Sequence, residues 1–148
     1  MSSTIDRMQR RDRLGESESS EADGESHRRF VIHEHYASTH HFDLRLEWGN
    51  SLWSWAVPKG MPTEPSRNRL AIRVEAHDLD HLDYEDRTPV EGATTGAVRK
   101  SIWDHGTYEL ESITEHKLVF ELRGARLNDR FAIFQTGDRN WMIHLMSR

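Results

Sequence analysis

Residues 41–48 alternate without a break: Phe42, Leu44, Leu46 and Trp48 are apolar, and His41, Asp43, Arg45 and Glu47 between them are ionisable. Period-two alternation sends successive side chains to opposite faces, so the segment is satisfied as a strand with one face on a core. Wound as a helix, it would carry charges around every side. Gly49-Asn50 follows as a turn signal, and residues 51–57 read as the return strand of a hairpin. Trp53 and Trp55 share a face of that strand and are assigned to the core.

The rest of the chain repeats this grammar. Pro58, Gly60, Pro62 and Pro65 make a loop. Leu70, Ile72 and Val74 then alternate with Arg69, Arg73 and Glu75, predicting a strand whose apolar face is the even-numbered one. Its polar stripe is Arg69, Arg73, Glu75 and His77. Residues 85–100 hold Pro89, Gly92 and Gly96 and read as a long loop. Residues 107–111, 118–123, 130–135 and 141–146 read as later strands, with Gly124 and Gly137 as punctuation. No helix of three turns and no internal repeat is visible. Many short strands at fairly even spacing make the chain mainly β, an antiparallel barrel or a sandwich.

Residues 1–29 stand apart. Arg7, Arg10, Arg11 and Arg13 open a segment continued by Glu16, Glu18, Glu21, Asp23 and Glu25 among serines. With almost no apolar residues it cannot fold by burying itself. It is read as an arm, either a flexible tail or a segment docked through its charges, preceding a domain over residues 30–148.

Composition narrows the function. No apolar run approaches the ~20 residues of a spanning helix, and no apolar stretch near the N-terminus resembles a secretory signal. There is no cysteine, which removes thiolate metal sites and cysteine nucleophiles and fits a reducing, cytoplasmic setting. The net charge of -5 argues against coating a nucleic-acid duplex. It leaves room for a local basic pocket that grips one strand end.

Histidine is in excess: ten in 148 residues, four of them between His33 and His41. His41, Asp43 and Arg45 stand at i, i+2 and i+4 on one strand face, neighbours about 6.5–7 Å apart. On spacing alone such a stripe is first a solvated face, with His33 and His40 as surface or packing residues. The chemical reading is that His41 and Asp43 converge on one metal, with His35 from the preceding strand as third ligand. This mixed nitrogen and oxygen set suits manganese, iron or zinc. Arg45, one step beyond, can grip an anionic oxygen bidentately, which points to a phosphate or carboxylate substrate.

Six separated stretches carry a resemblance. They are His35-Tyr36-Ala37-Ser38, then His41-Phe42-Asp43-Leu44-Arg45-Leu46-Glu47, Ser54-Trp55-Ala56-Val57-Pro58-Lys59-Gly60, Arg69-Leu70-Ala71, Glu75-Ala76-His77-Asp78-Leu79-Asp80 and Trp103-Asp104-His105-Gly106-Thr107-Tyr108-Glu109. In order and spacing the chain resembles the 3'-phosphoesterase domain of bacterial DNA ligase D and its stand-alone archaeal and bacterial relatives. The resemblance implies a compact antiparallel β-barrel. It implies healing of 3' ends of DNA or RNA/DNA primer-templates with manganese, removing a terminal ribonucleoside as a phosphodiesterase and then the 3'-phosphate as a phosphomonoesterase.

Carried over, His35, His41 and Asp43 are the metal ligands, and Arg45 and His77 contact the scissile phosphate. Lys59, Arg69 and Glu75 match further active-site positions. Arg11, Asp12 and Glu18 fall where the family has an Arg-Asp pair and a later Glu, which favours the docked arm. A DNA ligase, a polymerase or an end-binding protein acting separately are the implied partners.

Two departures stand out. The family usually has a tyrosine where this chain has His81, and its glycine-rich loop is altered to Glu91-Gly92-Ala93-Thr94-Thr95-Gly96. Two rival readings are a cupin-like metal enzyme built on His33-Glu34-His35 and a non-catalytic module that binds nucleic-acid ends through Arg45, Arg69 and Lys59.

Overall fold

The structure, a computed structural model, describes residues 28–146. It contains nine strands: β1 (Arg29–Tyr36), β2 (His40–Trp48), β3 (Ser51–Val57), β4 (Arg69–Asp78), β5 (Asp86–Pro89), β6 (Val98–Thr114), β7 (Lys117–Gly124), β8 (Arg130–Gly137) and β9 (Asn140–Leu145). The sheet runs β1-β2-β3-β4-β9-β8-β7-β6, and β6 returns to pair with β1. Eight antiparallel strands therefore close a barrel, with β5 added as a ninth on the outer margin of β6. Closure removes the exposed strand edges that an open sheet of this size would carry. Among the described residues the only helical element is a five-residue 3-10 turn, Leu79–Asp83.

The expected alternation of the hairpin holds. Leu44, Leu46 and Trp48 on β2 face the barrel interior with Trp53, Trp55 and Val57 on β3. Phe30 and Ile32 from β1, Phe120 and Leu122 from β7 and Phe131 and Ile133 from β8 complete that core with Trp141 from β9. Trp55 and Trp141 meet edge to face at 5.9 Å.

Two readings are corrected. Residues 85–100 are not one loop: β5 and the first residues of β6 lie within them. Gly92 and Gly96, with φ of 83° and 79°, serve the turn between the two strands. There Val90 N–H donates to the carbonyl of Ala97. Strand β5 escapes the alternation rule because it is a four-residue edge strand, mostly polar and ending in Pro89, and an edge buries no face.

The second correction concerns β4. Its odd-numbered residues point inward: Ala71 is fully buried and Arg73 is 7% exposed, while Leu70 is 41% exposed. The interior beside β4 is already filled by indoles. A methyl group at Ala71 suffices there, and the Arg73 guanidinium lies over the rings of Trp53 and Trp55 at 5.0 and 5.1 Å, a favourable cation–π arrangement. Arg73 and Arg69 therefore do not share a face with His77. Between the pairs Ser54↔Val74 and Leu52↔His77 the β4 strand spends one extra residue. This bulge moves His77 to the outer face.

The crossing of β6 from β1 to β7 is pinned by Asp104, 1% exposed. Its carboxylate accepts backbone N–H groups from His105, Ala125 and Arg126 on Oδ1 and from Leu127 on Oδ2, at 2.8–3.0 Å. A Cβ on Gly124 would lie 2.6 Å from that carboxylate, so glycine is required there. Asp104→Ala would strand buried donors, and we expect a loss of about 3 kcal/mol, seen as a melting temperature lowered by roughly 10 °C. A shift below about 2 °C by calorimetry would show that water replaces the carboxylate without cost.

Candidate metal and phosphate site

The site lies on the outer face of β1, β2 and β3. Antiparallel partners share a face, and the register aligns His35 with His41, His33 with Asp43 and Ala56, and Val31 with Arg45 and Ser54. Lys100 on β6 stands opposite His35. The outer face of β2 is not solvated: Asp43, Arg45 and Glu47 are 5%, 2% and 2% exposed. The chain from the 3-10 turn to β5 crosses in front of it. Tyr84 carbonyl accepts from His33 Nε2 at 2.9 Å, and Glu85 accepts the Ile102 N–H at 2.8 Å. These contacts tie the crossing segment to β1 on one side and β6 on the other.

The donor atoms of His35, His41 and Asp43 all lie within 4.8 Å of one another. His35 Nδ1 stands 3.3 Å from Asp43 Oδ2, and His41 Nε2 stands 3.2 Å from Oδ1. His41 Nδ1 is 3.1 Å from the Thr39 carbonyl. A carbonyl only accepts, so Nδ1 donates there, and Nε2 is the atom that faces the carboxylate. Two electron-rich atoms facing each other need a cation or a proton between them. A divalent metal with two imidazoles and one carboxylate satisfies that need, and the Thr39 contact supplies the orienting hydrogen bond usual behind a ligating histidine. Burial and Lys100 push His35 below the usual histidine range, toward the neutral form that binds metal.

Arg45 is held by its neighbours. Nη1 donates to Ser54 Oγ at 2.9 Å, Nε to His33 Nδ1 at 3.4 Å, and Nη2 lies 3.4 Å from Asp43 Oδ2. Beyond it three rings follow one another: His77 and His81 are tilted at 4.3 Å, and His81 stacks on Tyr84 at 4.9 Å. The five-residue 3-10 turn sets the spacing that brings His81 back onto His77. Burial, then the charge of Arg45, holds both His33 and His77 down to about 4. His81 is lowered for the same reasons. The face thus combines three convergent side chains that could hold a metal ion, a fixed guanidinium and imidazoles whose protonation is disfavoured.

The family description "DNA Ligase D 3'-phosphoesterase domain" matches residues 33–135, a span from β1 into β8 that contains His33, His35, His41, Asp43, Arg45, Ser54, His77, His81, Tyr84 and Lys100. The chain is 39% identical over 119 residues to the multifunctional non-homologous end joining DNA repair protein LigD of Mycobacterium tuberculosis, covering 78% of this chain and 15% of that protein. It is 36% identical over 129 residues to the LigD protein of Mycolicibacterium smegmatis, covering 80% and 17%, and 37% identical over 116 residues to that of Pseudomonas aeruginosa, covering 75% and 14%. The chain belongs to the DNA ligase D 3'-phosphoesterase domain family. Membership supports an end-processing phosphoesterase role. The chain spans only about a seventh of the length of these relatives, which are multifunctional proteins.

Within this phosphoesterase-family face, the structure brings together His35, His41, Asp43, Arg45, His77 and His81. Lys59 is exposed on the β3–β4 loop and Glu75 is exposed at the β4 bulge. Arg69 lies on the interior-facing side of β4 opposite Ile143, its Nε buried without a hydrogen bond. Among the described residues no hydrogen bond or ion pair joins these three to the cluster. Arg11, Asp12 and Glu18 lie outside the described residues.

Sequence reasoning missed His33, Ser54, Tyr84 and Lys100. His33 is fully buried and occupied by Arg45 and Tyr84, whereas His40 is exposed and stacked on Tyr36 at 4.2 Å. The available signal for His33 was its place two residues before His35 on one face. Lys100 fell within a stretch read as loop.

The lowered histidines couple folding to pH. The unfolded chain takes up protons near 6.5, whereas His33 and His77 in the folded protein do so at about 4. Their contribution is whole above about 6.5 and is lost as the pH falls toward 4, because there the unfolded state binds more protons. The melting temperature of metal-free protein should therefore fall between pH 7 and 4.5, and less steeply in His33→Gln. Equal slopes for the two proteins would show that His33 titrates in the ordinary range.

Proposed function

We propose that this chain is a manganese-dependent 3'-end-healing phosphoesterase. In this reading it removes a 3'-terminal ribonucleoside and then the 3'-phosphate from DNA or RNA/DNA primer-template ends, leaving a 3'-hydroxyl. The observation that carries the reading is the convergence of His35, His41 and Asp43 beside the Arg45 guanidinium on one buried face. A metal alone would serve many chemistries. A metal with a fixed arginine beside it suits a phosphate or a carboxylate, and the phosphoesterase family match points to phosphate. The two-nitrogen, one-oxygen donor set suits manganese, iron or zinc, and manganese is taken from the family resemblance.

A bound divalent ion supplies polarisation of a phosphate oxygen and acidification of a bound water. The residues of the chain do the rest. Arg45, locked by Ser54 and His33, holds a non-bridging oxygen and stabilises the charge that grows there in the transition state. His77 is neutral near pH 7, with its pKa at about 4, so it holds phosphate as a hydrogen-bond donor. His81 lies tilted against it and stands where the family usually has tyrosine, also a neutral donor. Arg11, Asp12 and Glu18, which lie outside the described residues, enter this reading through the family resemblance alone. Lys59, Arg69 and Glu75 enter this reading only as matches to further active-site positions of the family. A ligase, a polymerase or an end-binding protein acting in end joining would use the healed end.

The test is hydrolysis of a primer-template ending in a 3'-ribonucleoside or a 3'-phosphate, with and without manganese. Activity should require the metal and vanish in Asp43→Ala with the melting temperature retained. Arg45→Lys keeps the charge but loses the planar fork, and its rate at saturating substrate should fall by about 10²–10³. Deleting residues 1–25 should cut turnover far more than thermal stability. Binding of the ends without hydrolysis would favour the end-binding module, and full activity of Asp43→Ala would remove the metal assignment.

A further inference from the structure

Lys100 lies on β6, across β1 from the strand that carries Arg45. Its Cα pairs with His35 on one side and with Asp86 on the other, so its side chain shares the outer face with the metal donors. The ammonium lies 5.5 Å over the ring of Tyr84, whose other neighbour is His81. Asp86, the nearest carboxylate by register, is engaged elsewhere: it accepts the Thr88 N–H and hydroxyl and faces Arg99 at 3.8 Å. Among the described residues no carboxylate lies within ion-pair distance of Lys100. A half-buried ammonium on the same face as an arginine feels Asp43 and Asp86 only at a distance, without a direct ion pair. Burial and the charge of Arg45 lower its pKa accordingly.

We propose that Lys100 is a phosphate-binding residue that biases this site toward the terminal phosphomonoester over the diester. The proposal rests on the phosphoesterase reading above and extends it to substrate preference. Arg45 approaches from β2 and Lys100 from β6, so an anion at the metal donors lies between the two cations. A terminal phosphate carries close to two negative charges at neutral pH, a diester one. An additional fixed cation attracts the doubly charged group more strongly, in proportion to its charge. Lys100 thus acts on the second step, removal of the 3'-phosphate, more than on the first.

The experiment compares wild type, Lys100→Met and Lys100→Arg, each checked for an unchanged melting temperature. It measures kcat/KM with manganese on matched ends carrying a 3'-phosphate or a 3'-ribonucleoside, and the affinity of each protein for inorganic phosphate by titration calorimetry. Lys100→Met should lose about tenfold or more on the 3'-phosphate, less than about threefold on the diester, and should bind phosphate correspondingly more weakly. Lys100→Arg should recover most of the loss. Equal losses on both substrates, or wild-type phosphate affinity in Lys100→Met, would overturn the proposal. A wild-type protein inactive on both ends would sink the phosphoesterase reading instead, and the phosphate titration would still decide the role of Lys100.

Discussion

Strand β2 is buried on both faces, and its outward face is ionic. A strand that carries Asp43, Arg45 and Glu47 on one side is stable there only if each charge is compensated, because an unpaired buried charge costs several kcal/mol. Each one is. Arg29 clasps Glu47 through Nε and Nη2 at 2.7 and 2.8 Å, Asp43 meets Arg45 and two imidazoles, and Arg45 is braced by Ser54 and His33. Arg29, His33 and His35 come from β1 and Ser54 from β3, so that part of the compensation works only in the observed register. A slip of one residue would send the ionic set into the tryptophan core. The chemistry of the site and the alignment of the barrel are thus enforced by the same pairs.

How much of this was readable in the sequence depended on whether a strand obeyed simple alternation. The β2–β3 hairpin did, so its core tryptophans, its turn and the shared face of His41, Asp43 and Arg45 were legible. The burial of that face was not, since the segment covering it is distant in sequence and mostly polar. Strand β4 misled because its inner side needs only Ala71 and a guanidinium laid over indoles, an arrangement with no hydropathy signal. His77 was grouped with Arg69 and Arg73 by counting in twos, and a bulge broke the count in favour of the outer face. Strand β5 left no pattern at all, and with it went the start of β6 and Lys100.

Electrostatics joins the metal donors to the anion-binding groups. Arg45 and Lys100 carry fixed charge on this face, and their presence, added to burial, disfavours protonation of His33, His35, His77 and His81. For His35 the neutral form is the one that ligates. For His77 and His81 it is a donor that does not add to a crowd of cations. The two fixed cations thus act twice: directly on an anionic oxygen, and indirectly by keeping the imidazoles available as ligands and neutral donors at pH 7. Were the imidazoles protonated instead, the same face would repel a divalent cation. The placement of a guanidinium and an ammonium on either side of the donor set therefore accounts for how a chain of net charge -5 can keep one local face ready for both a metal and a phosphate.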